Sequence, residues 1–570
     1  MREPSSIEVT SILQSFQMAK DAILIHDDKI SRLEQILNIL QLQRDRLQDY
    51  ARQQESLLAP IRKLPVEILT QIFSLCHLDS GYGLEIRQGV QKGETVKSPI
   101  LALSHVCSHW RTVSISRPLL WSSISIDFER LEDDDAERLQ SLIGLYLDRS
   151  RRAFLNIRMT SFYMYFPDER PELVFRALLA ERVRWKTIVL SLGPSFLDDP
   201  IQIEDTSDSL HFPSLEAIEL DWKDHSWPRT VHDSHPGDFL NSLLVNSPNL
   251  RRMAIPQFLD CQRFSSVMKF FDFRRLSSIE VNKRSYDWSI WRQINENLTE
   301  FSNLEKLSIN LILPAHRIQE NYRGTRCPNA TSRSLKSLSM TLNYFAVSTP
   351  MLGALNLPSL TCLEISIYTI QDPGSHTDAW MQSLQGMLRC SHNTLVSFKL
   401  TCYNEFSANQ LCTILSWPQR VQTLSLFADA RALTSTLFSR LMFPSNNPVI
   451  APNDEALESE QSPTLLPHLK TVTFGFTGLN FLIEQEPLVS KQASLILPDP
   501  DVIFNMILSR RHGNGVEDGL CHFGFSASTV LFKSELQNWA GIMRTKLRDL
   551  RPELQRGSSH WTCTLDLGEI

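Results

Sequence analysis

The sequence predicts an α/β protein (α+β overall) with a long N-terminal helix, a compact helical module, and an irregular solenoid of strand–helix repeats closed by a helical C-terminal cap. Three observations predict this fold class. Apolar residues recur in steps of three and four before Pro60, and two short segments with helical spacing follow it. Beyond residue 180, a short strand pattern recurs at intervals of 25 to 48 residues, as in strand–helix repeats.

The composition is that of an ordinary globular protein. The 570 residues are 42% hydrophobic and 21% charged, which is enough apolar material for several buried cores. The net charge of −7 gives no reason to expect a nucleic-acid partner. No signal peptide or membrane-spanning apolar run is visible, so we expect no membrane association and a cytoplasmic or nuclear location. The 10 cysteines form no CxxC pair and are expected to be buried, reduced thiols.

Residues 1–59 are predicted to form a heptad helix. Its apolar stripe alternates in steps of three and four through Phe16, Ala19, Ile23, His26, Ile30, Leu33, Leu37, Leu40, Arg44, Leu47, Ala51, Gln54 and Leu58. The stretch from Ile30 to Leu40 is uniformly apolar at these positions, whereas Arg44 and Gln54 interrupt the stripe. Two interpretations stay open: a coiled coil that pairs two chains as a homodimer, and a long helix folded back on the next domain of its own chain.

Residues 60–126 carry two short segments that are unusually rich in large apolar residues. Leu64-Pro65 opens a helix, since proline in the first turn loses no hydrogen bond. The wide apolar face of this helix consists of Ile68, Leu69, Ile72 and Phe73. The second segment places Leu101, Leu103, Val106, Cys107 and Trp110 at helical spacing before Pro118. Helices this short cannot hide so many apolar groups from water, which predicts a partner surface.

The strings "LPVEILTQIF", "ALSHVCSHWR" and "PLLWSSI" occur in the order found in an F-box, and this region resembles that family. The resemblance implies a three-helix module that packs on the Skp-type adaptor of a cullin ubiquitin ligase. By the same resemblance, the adaptor contacts are Leu64, Pro65, Ile68, Leu69, Ile72 and Phe73. The residues that complete the module or the contact are Val106, Cys107, Trp110 and Trp121. The layout with a heptad helix is most similar to fungal F-box proteins.

The two halves of this motif are separated by an insertion. Residues Asp79 to Ser98 are polar and contain glycine, so we expect a flexible loop there. After the motif, residues 127–150 are predicted to form an acidic linker and a first helix. The acidic run from Glu129 to Glu137 is most simply a solvated part of that linker.

Residues 151–500 are predicted to form a leucine-rich-repeat-like array. The pattern is an apolar residue, two variable residues, an apolar residue, one variable residue and a third apolar residue. It begins at Leu215, Leu250, Leu276, Leu304, Leu335, Leu360, Leu395, Val421 and Leu469, with an earlier copy at Trp185. Asn343 alone matches the asparagine that such repeats often carry, so we expect an irregular array. Residues 444–463 are expected to be a disordered insertion.

Each predicted strand has one outward residue between its last two inward ones. On a solenoid these residues would line one surface: Glu219, Ala254, Glu280, Ser308, Ser339, Glu364, Lys399, Ser425 and Thr473. The row is small, polar and slightly acidic, which suits a protein substrate of basic or hydroxyl-rich character. The alternative is that these are ordinary solvated strand positions.

Residues 501–570 are predicted to contain two helices that cap the array. No phosphate-binding glycine loop, nucleophile elbow or HExxH motif is present, so no enzyme activity, cofactor or catalytic residue is expected. His105, Cys107 and His109 cannot converge on a metal, because Cys107 lies about 200° from the two histidines around a helix. A second histidine group, His225, His232 and His235, is interpreted as part of a solvated loop.

Two functions are consistent with this organisation. In the first, the chain is the substrate-recognition adaptor of a cullin-type (SCF-like) ubiquitin ligase, with the repeat array binding a protein substrate. In the second, it is a coiled-coil and leucine-rich interaction scaffold that acts outside a ubiquitin ligase. They differ in whether the apolar face that begins at Leu64 contacts an adaptor or is buried within the chain.

Overall fold

In a computed structural model, the chain forms two compact units. The helical unit comprises Met1–Gly81 and Ile100–Arg117, and the sheet unit comprises Tyr82–Pro99 and Pro118–Ile570. The structure describes residues 6–88, 94–127, 136–160, 170–191, 210–220, 243–255, 272–281, 288–311, 329–342, 345–367, 377–402, 406–428, 432–443, 465–476, 497–512, 520–527, 533–555 and 562–566.

The helical unit begins with one uninterrupted helix, α1 (Ser6–Leu58), which has 53 residues. Its apolar side chains are exposed along its length, including Ile30 at 53% and Leu47 at 69%. The predicted helix is therefore present. The apolar stripe is not covered by the other described helices of its unit, so the interpretation of a helix folded back on the next domain is wrong for the described side chains.

Three shorter helices complete the helical unit: α2 (Val66–Ser80), α3 (Pro99–Val106) and α4 (Ser108–Ile115). Pro60 occupies the first turn of a short 3₁₀ helix, Pro60–Lys63, that separates α1 from α2. Cys107 separates α3 from α4. Its extended backbone ends α3, and its sulfur accepts a weak hydrogen bond from the backbone N–H of Trp110 at 3.5 Å.

One 16-stranded sheet forms the body of the sheet unit. Its strands are β1 (Leu84–Gln88), β2 (Glu94–Lys97), β3 (Ser123–Asp127), β4 (Leu155–Thr160), β5 (Trp185–Ser191), β6 (Ala217–Leu220), β7 (Arg252–Ile255), β8 (Ser278–Val281), β9 (Lys306–Leu311), β11 (Ser337–Leu342), β13 (Cys362–Ile367), β14 (Ser397–Cys402), β15 (Thr423–Ala428), β16 (Thr471–Phe476), β17 (His522–Ala527) and β18 (Thr562–Asp566). A separate pair consists of β10 (Ala330–Thr331) and β12 (Leu355–Asn356). From β3 onward, neighbours in the large sheet follow chain order, and β1–β2 is its only antiparallel pair among the described strands.

Helices connect many of these strands, as parallel pairing requires. They are α5 (Ala136–Ser150), α6 (Arg170–Ala180), α7 (Trp288–Asn297), α8 (Phe345–Gly353), α9 (Thr377–Ser391), α10 (Ala408–Leu415), α11 (Ser435–Arg440), α12 (Pro500–His512) and α13 (Lys533–Gln555). The strand side chains alternate in burial, as in β11, where Leu338, Met340 and Leu342 are buried and the residues between them are half-buried. This alternation explains why the apolar pattern marks the strands.

All ten predicted repeat strands are present, from β5 to β16, but the sheet extends further at both ends. The expectation of a flexible loop at Asp79 to Ser98 is wrong for residues 84–88 and 94–97, which form β1 and β2. The strand β1 pairs in parallel with β3 and thereby joins the insertion to the sheet. At the other end, the two expected helices α12 and α13 alternate with two strands, β17 and β18, that were not predicted.

Polar residues immediately before the first leucine join neighbouring repeats. The Asn249 side chain donates to the Pro213 carbonyl at 2.7 Å, and the Asn303 side chain donates to the Arg274 carbonyl at 2.6 Å. The hydroxyl of Thr394 makes the same kind of bond to the Pro358 carbonyl at 3.1 Å. These bonds connect each of the three repeats to the one before it. Asn343, the insertion 444–463 and most of the acidic run lie outside the described residues.

Candidate functional site

The helix α2 divides its large apolar residues between two adjacent faces. Leu69 and Phe73, one turn apart, are fully buried. The Phe73 ring meets the half-buried Trp110 ring of α4 edge-on, with 5.2 Å between centroids. These contacts form the small core of the helical unit, so Leu69 and Phe73 support the α2 surface from beneath rather than forming it.

The outer face of α2 carries an apolar stripe consisting of Pro65, Ile68, Ile72 and Leu75, called here the α2 stripe. At 100° per residue, these four positions fall within an arc of about 80°. Ile68 is 42% exposed and Leu75 is 60% exposed, whereas Ile72 is half-buried. Leu75 was not among the predicted contact residues, although its spacing of seven from Ile68 places it on this face.

Further apolar groups are exposed near the ends of these helices. Val66 at the start of α2 is 38% exposed, and Val106 at the end of α3 is 59% exposed, while Leu64 is half-buried. A hydrogen bond links α3 and α4 across their junction, since the Arg111 guanidinium donates to the Ser104 carbonyl at 3.0 Å. Cys107 is half-buried and caps α4, so its role in the structure is local.

Trp121 lies in the sheet unit and is fully buried. Its ring packs edge-on against Tyr146, with 4.9 Å between centroids, and the Arg149 guanidinium lies over it at 4.4 Å. The Tyr146 hydroxyl donates to the Gly83 carbonyl at 2.9 Å and is also paired with Ser98. Burial raises the pKa of Tyr146 to about 12. Trp121 and Tyr146 thus hold the β1–β2 insertion on the sheet, and Trp121 has no exposed area to offer a partner.

The outward residues of the sheet form a second candidate surface. The strand register aligns Glu219, Ala254, Glu280, Ser308, Ser339, Glu364, Lys399, Ser425 and Thr473 in one continuous row. None of the nine is buried. Within the row, the Lys399 ammonium pairs with the Glu364 carboxylate on the neighbouring strand at 2.5 Å.

An aromatic ring lies beside this row, one outward position farther along β15. Phe427 is half-buried and directly opposite Gly475 of β16. A Cβ added at Gly475 would overlap the Phe427 ring, so glycine is the residue that lets the ring lie over the neighbouring strand. Phe427 was not predicted, because the predicted row contains only the middle outward residue of each strand. The signal was an aromatic residue aligned with a glycine one repeat later.

Three observations on the described residues concern metal binding, thiol reactivity and membrane spanning. No group of three histidine, cysteine or acidic side chains in them is arranged to hold a metal ion. Burial raises the pKa of the Cys402 and Cys412 thiols, which keeps both in the unreactive protonated form. No described helix has an apolar segment of the length needed to span a bilayer.

Comparison with known families assigns the region that contains α2, α3, α4 and Trp121. A family model described as F-box-like matches residues 61–127. No curated protein matches the chain. F-box domains typically act as adaptors rather than enzymes, and this domain supports a role in an SCF-type ubiquitin ligase, bound to a Skp-type adaptor in a cullin complex. The match includes the α2 stripe and the helices that support it, so the chain contains an F-box-like domain at residues 61–127.

Proposed function

We propose that this chain is the substrate-recognition subunit of a cullin-type ubiquitin ligase, docking a Skp-type adaptor through the α2 stripe. The observation that carries the proposal is the exposure of Ile68 and Leu75 inside the matched F-box region. Apolar side chains that are held in place by a rigid core beneath them are suited to a partner surface. Leu64 and Val106 add apolar groups near the ends of α2 and α3, and Trp110 of α4 packs on Phe73 beneath the stripe.

The α2 stripe contributes apolar burial to docking. Complete burial of a large apolar side chain contributes roughly 1.5–3 kcal/mol, and association costs on the order of 4–15 kcal/mol. Because Ile68, Ile72 and Leu75 are already partly buried, each contributes only part of this amount, and contacts beyond the stripe supply the rest of an affinity that we expect to be micromolar or tighter. The chain itself performs no covalent chemistry in this proposal. It raises the concentration of a substrate near the ligase core, in the cytoplasm or the nucleus.

A native thiol reports on this docking. Cys76 is exposed and lies about 40° around α2 from Ile72. Cys390, on α9 of the sheet unit, is also exposed and serves as an internal control. Saturation with a Skp-type adaptor is expected to slow the alkylation of Cys76 at least about 10-fold and to leave Cys390 unchanged, as measured by mass spectrometry of the labelled peptides. Equal protection of both thiols, or of neither, would argue against docking at α2.

The substrate, in this proposal, binds the leucine-rich-repeat-like sheet along the outward row, with Phe427 as its apolar anchor. Aromatic side chains that are fixed in place are frequent hot spots of protein interfaces. The Phe427 ring rests on Gly475, and the neighbouring outward positions Ser425 and Thr473 provide hydroxyl groups for hydrogen bonds. The partner best suited to this site is a protein segment that presents an apolar side chain flanked by polar groups.

Substitution of Phe427 by lysine tests this part of the proposal. The change is expected to deplete substrates co-purified with the chain about 10-fold while the Skp-type adaptor is retained, because the anchor is lost and α2 is untouched. Quantitative mass spectrometry of proteins captured from cells of the source organism measures this depletion. The matched control is Phe154→Lys, which alters a phenylalanine that is 52% exposed outside the row. If Phe427→Lys and Phe154→Lys capture the same proteins, the site is not the anchor.

A scaffold that acts outside a ubiquitin ligase is the second candidate, and the exposed apolar stripe of α1 favours it. In that function α1 oligomerises the chain and the sheet binds a partner for structural purposes. The two functions differ at α2, because only the ligase function requires Ile68 and Leu75 to be covered by an adaptor. Failure of the adaptor to protect Cys76 would favour the scaffold.

A further inference from the structure

The α1 stripe fits a second copy of this chain in one particular arrangement. The heptad positions that face a partner are Val9, Phe16, Ile23, Ile30, Leu37 and Arg44 (position a) and Ile12, Ala19, His26, Leu33, Leu40 and Leu47 (position d). The apolar members of this seam are exposed, from 40% at Val9 to 69% at Leu47. We propose that α1 forms a parallel, in-register, two-stranded coiled coil between two copies of the chain. The proposal is independent of the ligase function.

The residue types favour two strands. Three of the six a positions carry β-branched residues, Val9, Ile23 and Ile30, and three of the six d positions carry leucine, Leu33, Leu40 and Leu47. In parallel coiled coils, β-branched residues at a with leucine at d select the dimer over the trimer. Position c also carries apolar residues, Ile25 and Ile39, but Arg32 and Arg46 interrupt them. The a and d positions therefore form the more continuous apolar seam.

Charge complementarity favours the parallel orientation. Beside the seam, Lys29 at position g faces Glu34 at position e of the second helix, and symmetry repeats this attractive pair. An antiparallel pair centred on the apolar stretch from Ile23 to Leu40 would instead place Asp27 beside Glu34 of the second copy. Two carboxylates there repel each other, so the parallel pair is the favoured one.

Polar seam residues fix the register. With the two helices in register, His26 faces His26 and Arg44 faces Arg44 of the second copy. A slip of one heptad would place His26 against Ala19 and Leu33, and Arg44 against Leu37 and Ala51. Such a slip would replace two polar layers by four layers in which a polar side chain faces an apolar one. The in-register pairing is therefore favoured, although each polar layer lowers the stability of the coiled coil.

The test is the oligomeric state of the full chain, measured by analytical ultracentrifugation. We expect a dimer of twice the 65.4 kDa chain mass. Ile30→Glu with Leu37→Glu is expected to raise the dimer dissociation constant at least about 100-fold, since both residues lie in the seam. The matched control is Ile25→Glu with Ile39→Glu at position c. The four side chains are equally exposed in the single chain, at 53%, 54%, 56% and 55% respectively, so only seam burial distinguishes the variants.

A photo-crosslinker at residue 16, introduced as Phe16→p-benzoylphenylalanine, tests the orientation. A parallel dimer gives cross-links between the peptides that contain residue 16, and mixing isotopically light and heavy chains proves that they are intermolecular. Cross-links to residues near 45 would show an antiparallel pair and overturn the proposal. A monomeric or trimeric wild-type chain, or equal loss of dimer in the seam and position-c variants, would overturn it as well.

Discussion

Replacing Arg510 by methionine is expected to lower the free energy of unfolding of the sheet unit by roughly 3–5 kcal/mol, because three buried carbonyls lose a charged donor. Arg510 is 1% exposed. Its Nε donates to the Leu441 carbonyl at 2.5 Å and its Nη1 to the Leu466 carbonyl at 2.7 Å, while Nη2 donates to the Leu465 carbonyl. Burial lowers the pKa of the guanidinium to about 10, so it stays charged at neutral pH.

The position of Arg510 in the chain explains the size of this effect. From α12, the guanidinium bonds the end of α11 at Leu441 and the start of the next repeat at Leu466, on either side of residues 444–464. The backbone at Leu466 has a φ of 51°, a left-handed conformation that disfavours a branched side chain. The bond to its carbonyl helps to hold that conformation. Loss of Arg510 is therefore expected to free both ends of this segment together.

Urea denaturation followed by circular dichroism measures the change. The matched control is Arg544→Met, the same substitution at a solvent-exposed position of α13. It is expected to change the free energy of unfolding by less than about 0.5 kcal/mol. Arg510→Lys is expected to recover only part of the loss, because an ammonium lacks the planar fork of the guanidinium. Equal urea midpoints for Arg510→Met and Arg544→Met would refute the role assigned to Arg510.

Substitution of Ile68 and Leu75 together by glutamate is expected to weaken binding to a Skp-type adaptor at least about 100-fold. A factor of 100 corresponds to about 2.7 kcal/mol, which is similar to the apolar burial that these two partly exposed side chains provide on docking. The two new carboxylates would add the cost of burying charge at the interface. Because both side chains are exposed in the chain alone, and glutamate favours helix, the fold of α2 should persist.

For Leu69 we expect a loss of stability rather than a loss of adaptor binding, although it lies beside Ile68 in the motif. It is fully buried against the core of the helical unit, so its truncation would destabilise that unit before it affected an interface. The sequence could not separate the two roles, because Ile68, Leu69, Ile72 and Phe73 all belong to one broad apolar face. Which part of that face is covered depends on where Trp110 of α4 packs, which is a tertiary contact.

The repeat strands were predictable because their chemistry is periodic. In a parallel sheet covered on one side, inward leucines alternate with polar outward residues, and the ten patterns from Trp185 to Leu469 each mark a strand. The strands β1 and β3 escaped prediction because they lack the leading leucine. The strand β17 carries the full pattern at Leu520, Phe523 and Phe525, but it lies beyond residue 500, where only helices were predicted. The strand β1 also lies in an insertion whose polar, glycine-containing flanks resemble a loop. Its pairing with β3 depends on residues that are 40 positions away in the chain, Leu84 with Ile124.

The features that define the second surface depend on register rather than on composition. The opposition of Phe427 and Gly475, and the pairing of Glu364 with Lys399, exist only once the strands are aligned. In the sequence, Arg510 is one of two adjacent arginines at the end of a predicted helix of the C-terminal cap. Only the fold brings it to the carbonyls of Leu441 and Leu465.

The most direct test of the docking account is calorimetric titration of the full chain with a Skp-type adaptor. The wild type is expected to bind at micromolar concentration or tighter, and Ile68→Glu with Leu75→Glu to bind at least about 100-fold more weakly. The control Leu173→Glu with Val183→Glu, which alters residues of 46% and 55% exposure outside the F-box region, is expected to bind like the wild type. Absence of binding by the folded wild type, or equal weakening in both variants, would contradict the assignment of the α2 stripe as the docking surface.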